Sequence, residues 1–338
     1  MKNTSFGTSL RAGTAIGAAL VATLAAPAVA EDLVLPSEVA ATHWKTDYQN
    51  EFAQMVDERT NGEISVKVFP AGQLYNEQDA LAALGTGAVQ MVWPVSVRVE
   101  SIEPATGVIN LPFALSDEMM ANECFAKGLT GVMSSYVEPR GLEILGLLRT
   151  ADLFFIFKDD EVASMEDLKG KKVRVTGGRV FLDTMDRLGV SSVSMAASEM
   201  STAMSQGAID GVFSSPAGWA EMIGMTGKYG WYVPGFSLST YAVVADKAWF
   251  DGLPAEHQEA ITSSLDEISK RQWIDAKASD DAAIQHMIGQ GAVFHVADEA
   301  ESARWRQLAD ESATSFTEAH PEVMAQMAEL ETTCGVGG

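Results

Sequence analysis

Side chains able to do chemistry are sparse in this 338-residue chain, and their spacing argues against catalysis. The five histidines, His43, His257, His286, His295 and His320, share no metal-ligand spacing. His257, His286 and His320 fall in polar helical contexts and read as surface residues. Ser214 and Ser215 follow a strand, yet no histidine or aspartate is placed to activate them, so a periplasmic hydrolase stays a remote alternative. Gly85-Thr86-Gly87 begins like a dinucleotide turn but precedes a strand instead of opening a helix. The run Lys158-Asp159-Asp160-Glu161 reads as a solvated loop. No H-E-x-x-H, paired C-x-x-C, Walker loop or G-x-S-x-G elbow occurs. The expectation is a binding protein with no catalytic residue, metal or cofactor.

Lys2 and Arg11 precede a small-apolar stretch, 12–30, that ends in Ala28-Val29-Ala30. That order of basic, apolar and small residues is the pattern of a cleavable secretory signal, here 1–30, and predicts a periplasmic protein. The formal net charge is −23, with 46 acidic against 23 basic residues. Such a surface repels nucleic acid and anionic lipid, so neither is an expected partner, and stable membrane insertion is not expected either. An anionic ligand would need a local arginine cluster to overcome that field. Cys124 and Cys334 are the two cysteines, and in an oxidising compartment either a single disulfide or two free thiols fits.

Strand-like and helix-like segments alternate along the chain, which implies an α/β protein whose ligand gathers beyond strand C-termini. Residues 45–59 pattern as an amphipathic helix stopped at Asn61-Gly62, and 63–69 alternate as a half-buried strand. A second helix over 76–84 and a strand over 88–93 follow. Residues 142–148 and 153–157 read as strands bridging two halves. In the second half, 172–175 is a strand entering a Gly177-Gly178 turn, 180–188 and 198–206 are helices, and 209–213 and 241–245 are strands. Everything after Pro254 patterns as helix. With no low-complexity spacer, the halves should be joined by crossing strands.

Several fragments, in order, resemble the solute-binding proteins of tripartite ATP-independent periplasmic (TRAP) transporters, of the dicarboxylate-receptor type. Thr60-Asn61-Gly62 with Val68-Phe69-Pro70-Ala71-Gly72-Gln73-Leu74 is similar to that family's T-N-G and V-F-P-x-G-Q-L signature. The segment 85–91 resembles its L-x-x-G-x-x-D-M run, with Gln90 where aspartate is usual, and Leu111-Pro112-Phe113 matches its L-P-F. Residues 166–175 resemble E-D-L-K-G-x-K-I-R-V. Leu188-Gly189, Ser198-Glu199 and Ala208-Ile209-Asp210-Gly211 fall at the family's spacing. The resemblance implies a two-lobed, type II Venus-flytrap fold with crossing strands at the hinge and C-terminal helices. One lobe would comprise 31–152 plus about 240–282, the other 153–239 plus about 283–338. It also implies a receptor that binds a small organic acid between the lobes and delivers it to TRAP membrane permease subunits. A receptor for an ATP-driven importer or a membrane sensor is the alternative.

The family's carboxylate-pairing arginine falls on Arg174, and a guanidinium suits that role because it forks onto carboxylate and stays charged. Ser214 stands where the family carries a ligand-contacting asparagine. The position of its second arginine meets Leu153-Phe154-Phe155, leaving Arg149 as the nearest basic residue. Arg98 matches an arginine of some members in the loop that also holds Trp93 and Pro94, while Val95 replaces a polar contact. Trp93 either walls the cleft or packs in the core, and the same choice applies to Trp219, Trp231, Tyr232 and Phe236. Tyr241, on the returning strand, completes the candidate contacts. These substitutions suggest a carboxylate with an apolar, keto or aromatic body.

Overall fold

The computed structural model describes residues 1–5, 7 and 31–336, so most of the leader expected over 1–30, with its expected cleavage site, lies outside the described residues. β1 (Glu31–Pro36) and β2 (Ile64–Phe69) pair in parallel, and α1 (Trp44–Arg59) connects them with Phe52 and Val56 buried. The helix stops where Asn61 and Gly62 both take positive φ, 50° and 78°, a reversal suited to these two residue types. α2 (Glu77–Ala83) starts at Asn76, whose side chain accepts from the Asp79 amide at 2.9 Å and so satisfies a free helical N–H. β3 (Met91–Val92) is shorter than expected. Beside it, Gln90 Oε1 accepts from the Val34 backbone amide at 2.9 Å while the Gln90 backbone N–H donates to the Val34 carbonyl at 3.3 Å.

Two 3-10 segments, Ser96–Ser101 and Pro104–Asn110, lead to α3 (Asp117–Ala121), α4 (Glu123–Val137) and the long β4 (Leu142–Asp152). Next come β5 (Phe154–Phe157), β6 (Lys172–Val175), α5 (Arg179–Arg187), β7 (Ser191–Ser194), α6 (Met200–Ser205), β8 (Gly211–Ser214) and β9 (Tyr229–Tyr232). The chain ends through β10 (Leu238–Asp246), α7 (Lys247–Gly252), α8 (Ala255–Gly289), β11 (Val293–Val296), α9 (Glu299–Ala319) and α10 (Pro321–Cys334).

The strands divide into two lobes. β1 and β2, with a sheet ordered β3-β10-β4, form the first, and a sheet ordered β11-β9-β5-β8-β6-β7 forms the second. β4 and β10 run antiparallel with Asp152 opposite Leu238, and one residue further Leu153 donates to Ser237 at 2.8 Å. From there both strands pass into the second lobe, so the hinge consists of crossing strands as expected. Among the described residues, no helix is long and apolar enough to cross a membrane.

Three features depart from the sequence expectation. The region after Pro254 is interrupted by β11, a four-residue strand parallel to β9 that is too short to show against the helices around it. The segment 283–338 does not stay with the second lobe. α9 buries Trp305 among Phe155, Trp231 and Phe236 there, but α10 crosses back and places Val323 and Met327 in the first-lobe core. α10 approaches α4 closely at Gly128, where a Cβ would lie 2.3 Å from Leu330 Cδ1 and force that side chain to move. A disulfide between Cys124 and Cys334 fastens the two helices, deciding between the two cysteine states. Finally, His257 is buried rather than a surface residue, 3.3 Å from Glu63.

Candidate binding cleft

A cavity of about 60 Å³ lies between the lobes, reached from β1, the loop after β3, β4, β6, β8 and β10. β6 lies between β8 and the edge strand β7, with Arg174 opposite Val193 on β7 and Val212 on β8. That position carries the Arg174 side chain into the interior, where it is only 2% exposed. Its Nε and Nη2 donate to the Met195 carbonyl at 3.1 and 2.9 Å, and it forms no ion pair among the described residues. Burial, reinforced by the nearby Arg98 charge, lowers its pKa to about 10. Such a group keeps its charge at neutral pH with no carboxylate of the described residues in direct contact, Glu38 and Glu77 acting on it only from a distance.

The strand ends at Gly177 and Gly178, with φ of 118° and 87°. A Cβ on Gly178 would sit 2.1 Å from Val97 Cγ2, so only glycine lets the second lobe approach the first this closely. Arg98, at that contact, lies 3.4 Å from Glu77, which also receives Lys45 Nζ at 2.8 Å and the Val95 amide at 3.2 Å. Burial pushes the Glu77 carboxyl up, yet Lys45 and Arg98 outweigh it and hold the net value below the ordinary carboxylate range. Arg98 and Thr176 also line a wider cleft of about 660 Å³.

Sequence reasoning missed several cavity residues. Glu38 follows the C-terminal end of β1; its Oε1 accepts from the Ala197 amide of the other lobe at 2.7 Å and its Oε2 from the Glu77 amide at 3.2 Å. The rule that ligands collect beyond strand C-termini could have found it. His43 has its pKa lowered to about 3 by burial and by Lys45, and its Nδ1 accepts from the Lys45 amide at 3.1 Å. The neutral ring therefore carries its proton on Nε2, as a donor, and cannot serve Ser214 or Ser215 as a base. Thr150 Oγ1 and Ser239 Oγ line the cavity without a hydrogen-bond partner among the described residues. Their signal in the sequence was only that of polar residues in crossing strands. Val39, Val95, Leu153, Met200, Phe213 and Met222 supply apolar wall.

Of the residues expected from sequence, Arg174, Ser214, Arg98 and Tyr241 line this cavity, and Arg149, Trp93, Pro94 and Trp219 do not. Burial raises the Tyr241 pKa well above its ordinary value, so its phenol stays neutral, with Lys45 Nζ 4.1 Å from the ring centroid. Arg149 is instead held by three carboxylates, Asp117 and Asp152 at 2.7 Å and Asp280 at 2.5 Å. Its basic character was read correctly, but its counter-ions come from within the chain. Trp93 packs on Phe52 with ring centres 5.6 Å apart, and Pro94 serves through its carbonyl, which accepts from Ala242 at 3.0 Å. Trp219 lies in the second-lobe core against Phe154, its indole N–H donating to Gly227 at 2.6 Å. Large apolar surface is better removed from water in a core than at a wet cleft, and packing wins for both tryptophans.

Two lobes joined by crossing strands recur in known proteins. The TRAP periplasmic solute-binding protein of Anaerococcus prevotii, solved with bound glucuronate, superposes with a TM-score of 0.82 at 21% identity, covering 89% of this chain and 97% of that one. The corresponding protein of Shewanella oneidensis, solved with bound succinate, gives 0.79 at 22% identity over 89% and 99%. In sequence, the C4-dicarboxylate-binding periplasmic protein DctP of Rhodobacter capsulatus is 29% identical over 335 residues, 96% of each chain. Residues 36–319 match the bacterial extracellular solute-binding proteins, family 7 (DctP). With fold and sequence in agreement over most of its length, the chain belongs to that family of solute-binding proteins.

Proposed function

We propose that this protein is an extracytoplasmic receptor that closes two lobes on a small organic acid and hands it to a TRAP membrane permease. A periplasmic address reached through a cleavable leader at 1–30 is part of the same proposal. So are lobe limits near 31–152, 240–282 and 321–334 for the first lobe, and 153–239 and 283–319 for the second, Met287 of α8 packing with Phe154 and Trp219 there. The observation that carries the reading is Arg174, a buried guanidinium whose bonded partner is a neutral carbonyl. An uncompensated buried charge is costly, and a ligand carboxylate removes that cost while adding charge-assisted hydrogen bonds. Arg98 reinforces the attraction, and Ser214 and Tyr241 offer neutral contacts beside it. The DctP relative and the two solved neighbours, which carry carboxylates by name or as bound ligand, support this choice of ligand class.

Closure follows from differential affinity: a ligand that touches both lobes stabilises the closed form by the contacts that the open form lacks. A thermal-shift screen of the purified protein against organic acids should identify stabilising ligands, because binding to the folded state raises the midpoint. Calorimetry on a hit should then show that Arg174→Ala weakens binding by at least about 100-fold, the loss expected when one partner of a buried charge pair is truncated. An unchanged dissociation constant would remove Arg174 from the site and the reading with it.

A further inference from the structure

The cavity's ionisable groups add up to a definite charge. Arg98, Arg174, Glu38 and Glu77 line it, and Lys45 is buried directly behind Glu77 at 2.8 Å. His43 and Tyr241 complete the titratable lining and are neutral, as described above. Glu199 is exposed, bonded to the Ala196 amide, and screened by water. Three cations therefore face two carboxylates, a surplus of one positive charge. One ligand carboxylate brings the closed site to neutrality. A second would leave a buried negative surplus in a cavity that Glu38 already lines with like charge.

The remaining polar groups point the same way. The unpartnered hydroxyls of Thr150 and Ser239 can each donate as well as accept, which suits a neutral hydroxyl, carbonyl or amide on the ligand. The volume of about 60 Å³ corresponds to roughly four to six water-sized positions, at about 10–15 Å³ each, so the part of the ligand held beside Arg174 is small.

We propose that the receptor selects a small monocarboxylate bearing a neutral polar group, and that Glu38 rejects dicarboxylates of the same size. This rests on the organic-acid reading above. Calorimetry at pH 7.5 with succinamate against succinate, and malamate (the monoamide of malate) against malate, isolates one charge within nearly constant shape. The monoanion of each pair should bind at least about 30-fold more tightly, and Glu38→Gln should shrink that ratio at least about tenfold. Succinate and malate binding as tightly as their partners, with that binding lost in Arg174→Ala, would overturn the inference and leave the organic-acid reading standing. Silence from all four acids in the wild-type protein would overturn the inference, while the thermal-shift screen would still decide the organic-acid reading. A ratio unchanged in a folded Glu38→Gln protein overturns the role of Glu38, and if that variant does not fold, the wild-type ratios still decide.

Discussion

Arg174 and Arg149 are both buried arginines on strands, and they predict opposite mutational outcomes. Arg174 is stabilised locally only by one carbonyl, and its lowered pKa means that the fold disfavours its charge. Arg174→Met should therefore raise the melting midpoint of the ligand-free protein, by about 2 °C if relief is on the order of 1 kcal/mol. A lower midpoint would mean that the guanidinium is a structural strut. Arg149 has the reverse environment, since Asp117, Asp152 and Asp280 converge on it. Arg149→Met strands three partly or fully buried carboxylates and should cost about 3–5 kcal/mol in denaturant unfolding. A loss below about 1 kcal/mol would refute that role.

At the scale of elements, the N-terminus of α5 meets the 3-10 segment Ser96–Ser101 through Glu100. The Glu100 carboxylate accepts from the Val180 amide at 3.1 Å and from Asn110 Nδ2 at 3.0 Å. Burial nevertheless pushes its pKa from 4.5 up to about 7, against these hydrogen bonds and Arg179. Between those values the folded protein holds a proton that the unfolded chain has released. The stabilisation is complete below about pH 4.5 and is lost as pH rises through about 7. Glu100→Gln, always neutral, should gain on the wild type by on the order of 2–3 kcal/mol between pH 4.5 and 8 in urea unfolding. A pH-independent difference would show that Glu100 does not titrate there.

Elements also mark how far the sequence could be read. The helices and strands around Asn61-Gly62, Gly177-Gly178 and Val173-Arg174-Val175 were legible because local turn chemistry and periodicity agree with the fold. β11 was not, because four residues hold too little pattern, and neither was the partner of α10, because an apolar stripe does not name what covers it. In the cleft, Arg174 was legible from its strand and motif. Glu38, Thr150 and Ser239 were not, since their roles arise from which backbone groups and strands the closed lobes bring together. Arg149 shows the limit most plainly: its charge is visible in sequence, and its three carboxylates, at 117, 152 and 280, are not.

For the whole molecule, α9 sits on one lobe and α10 on the other, and the Cys124–Cys334 bond pins the second to α4. In the chain-entropy description, a bridge spanning 210 positions contributes up to about 4–5 kcal/mol. The Cys124→Ser, Cys334→Ser double variant should melt well below the wild type yet bind ligand within about twofold, because neither α4 nor α10 lines the cavity. Weakened binding at a temperature where the variant is folded would reveal coupling between this strap and the cleft.

The same bond closes β4 through β11 into one covalent loop. A peptidase that nicks a single exposed turn inside it opens the loop without parting the fragments, and both halves of the cleft remain tethered until a reductant severs the sulfurs.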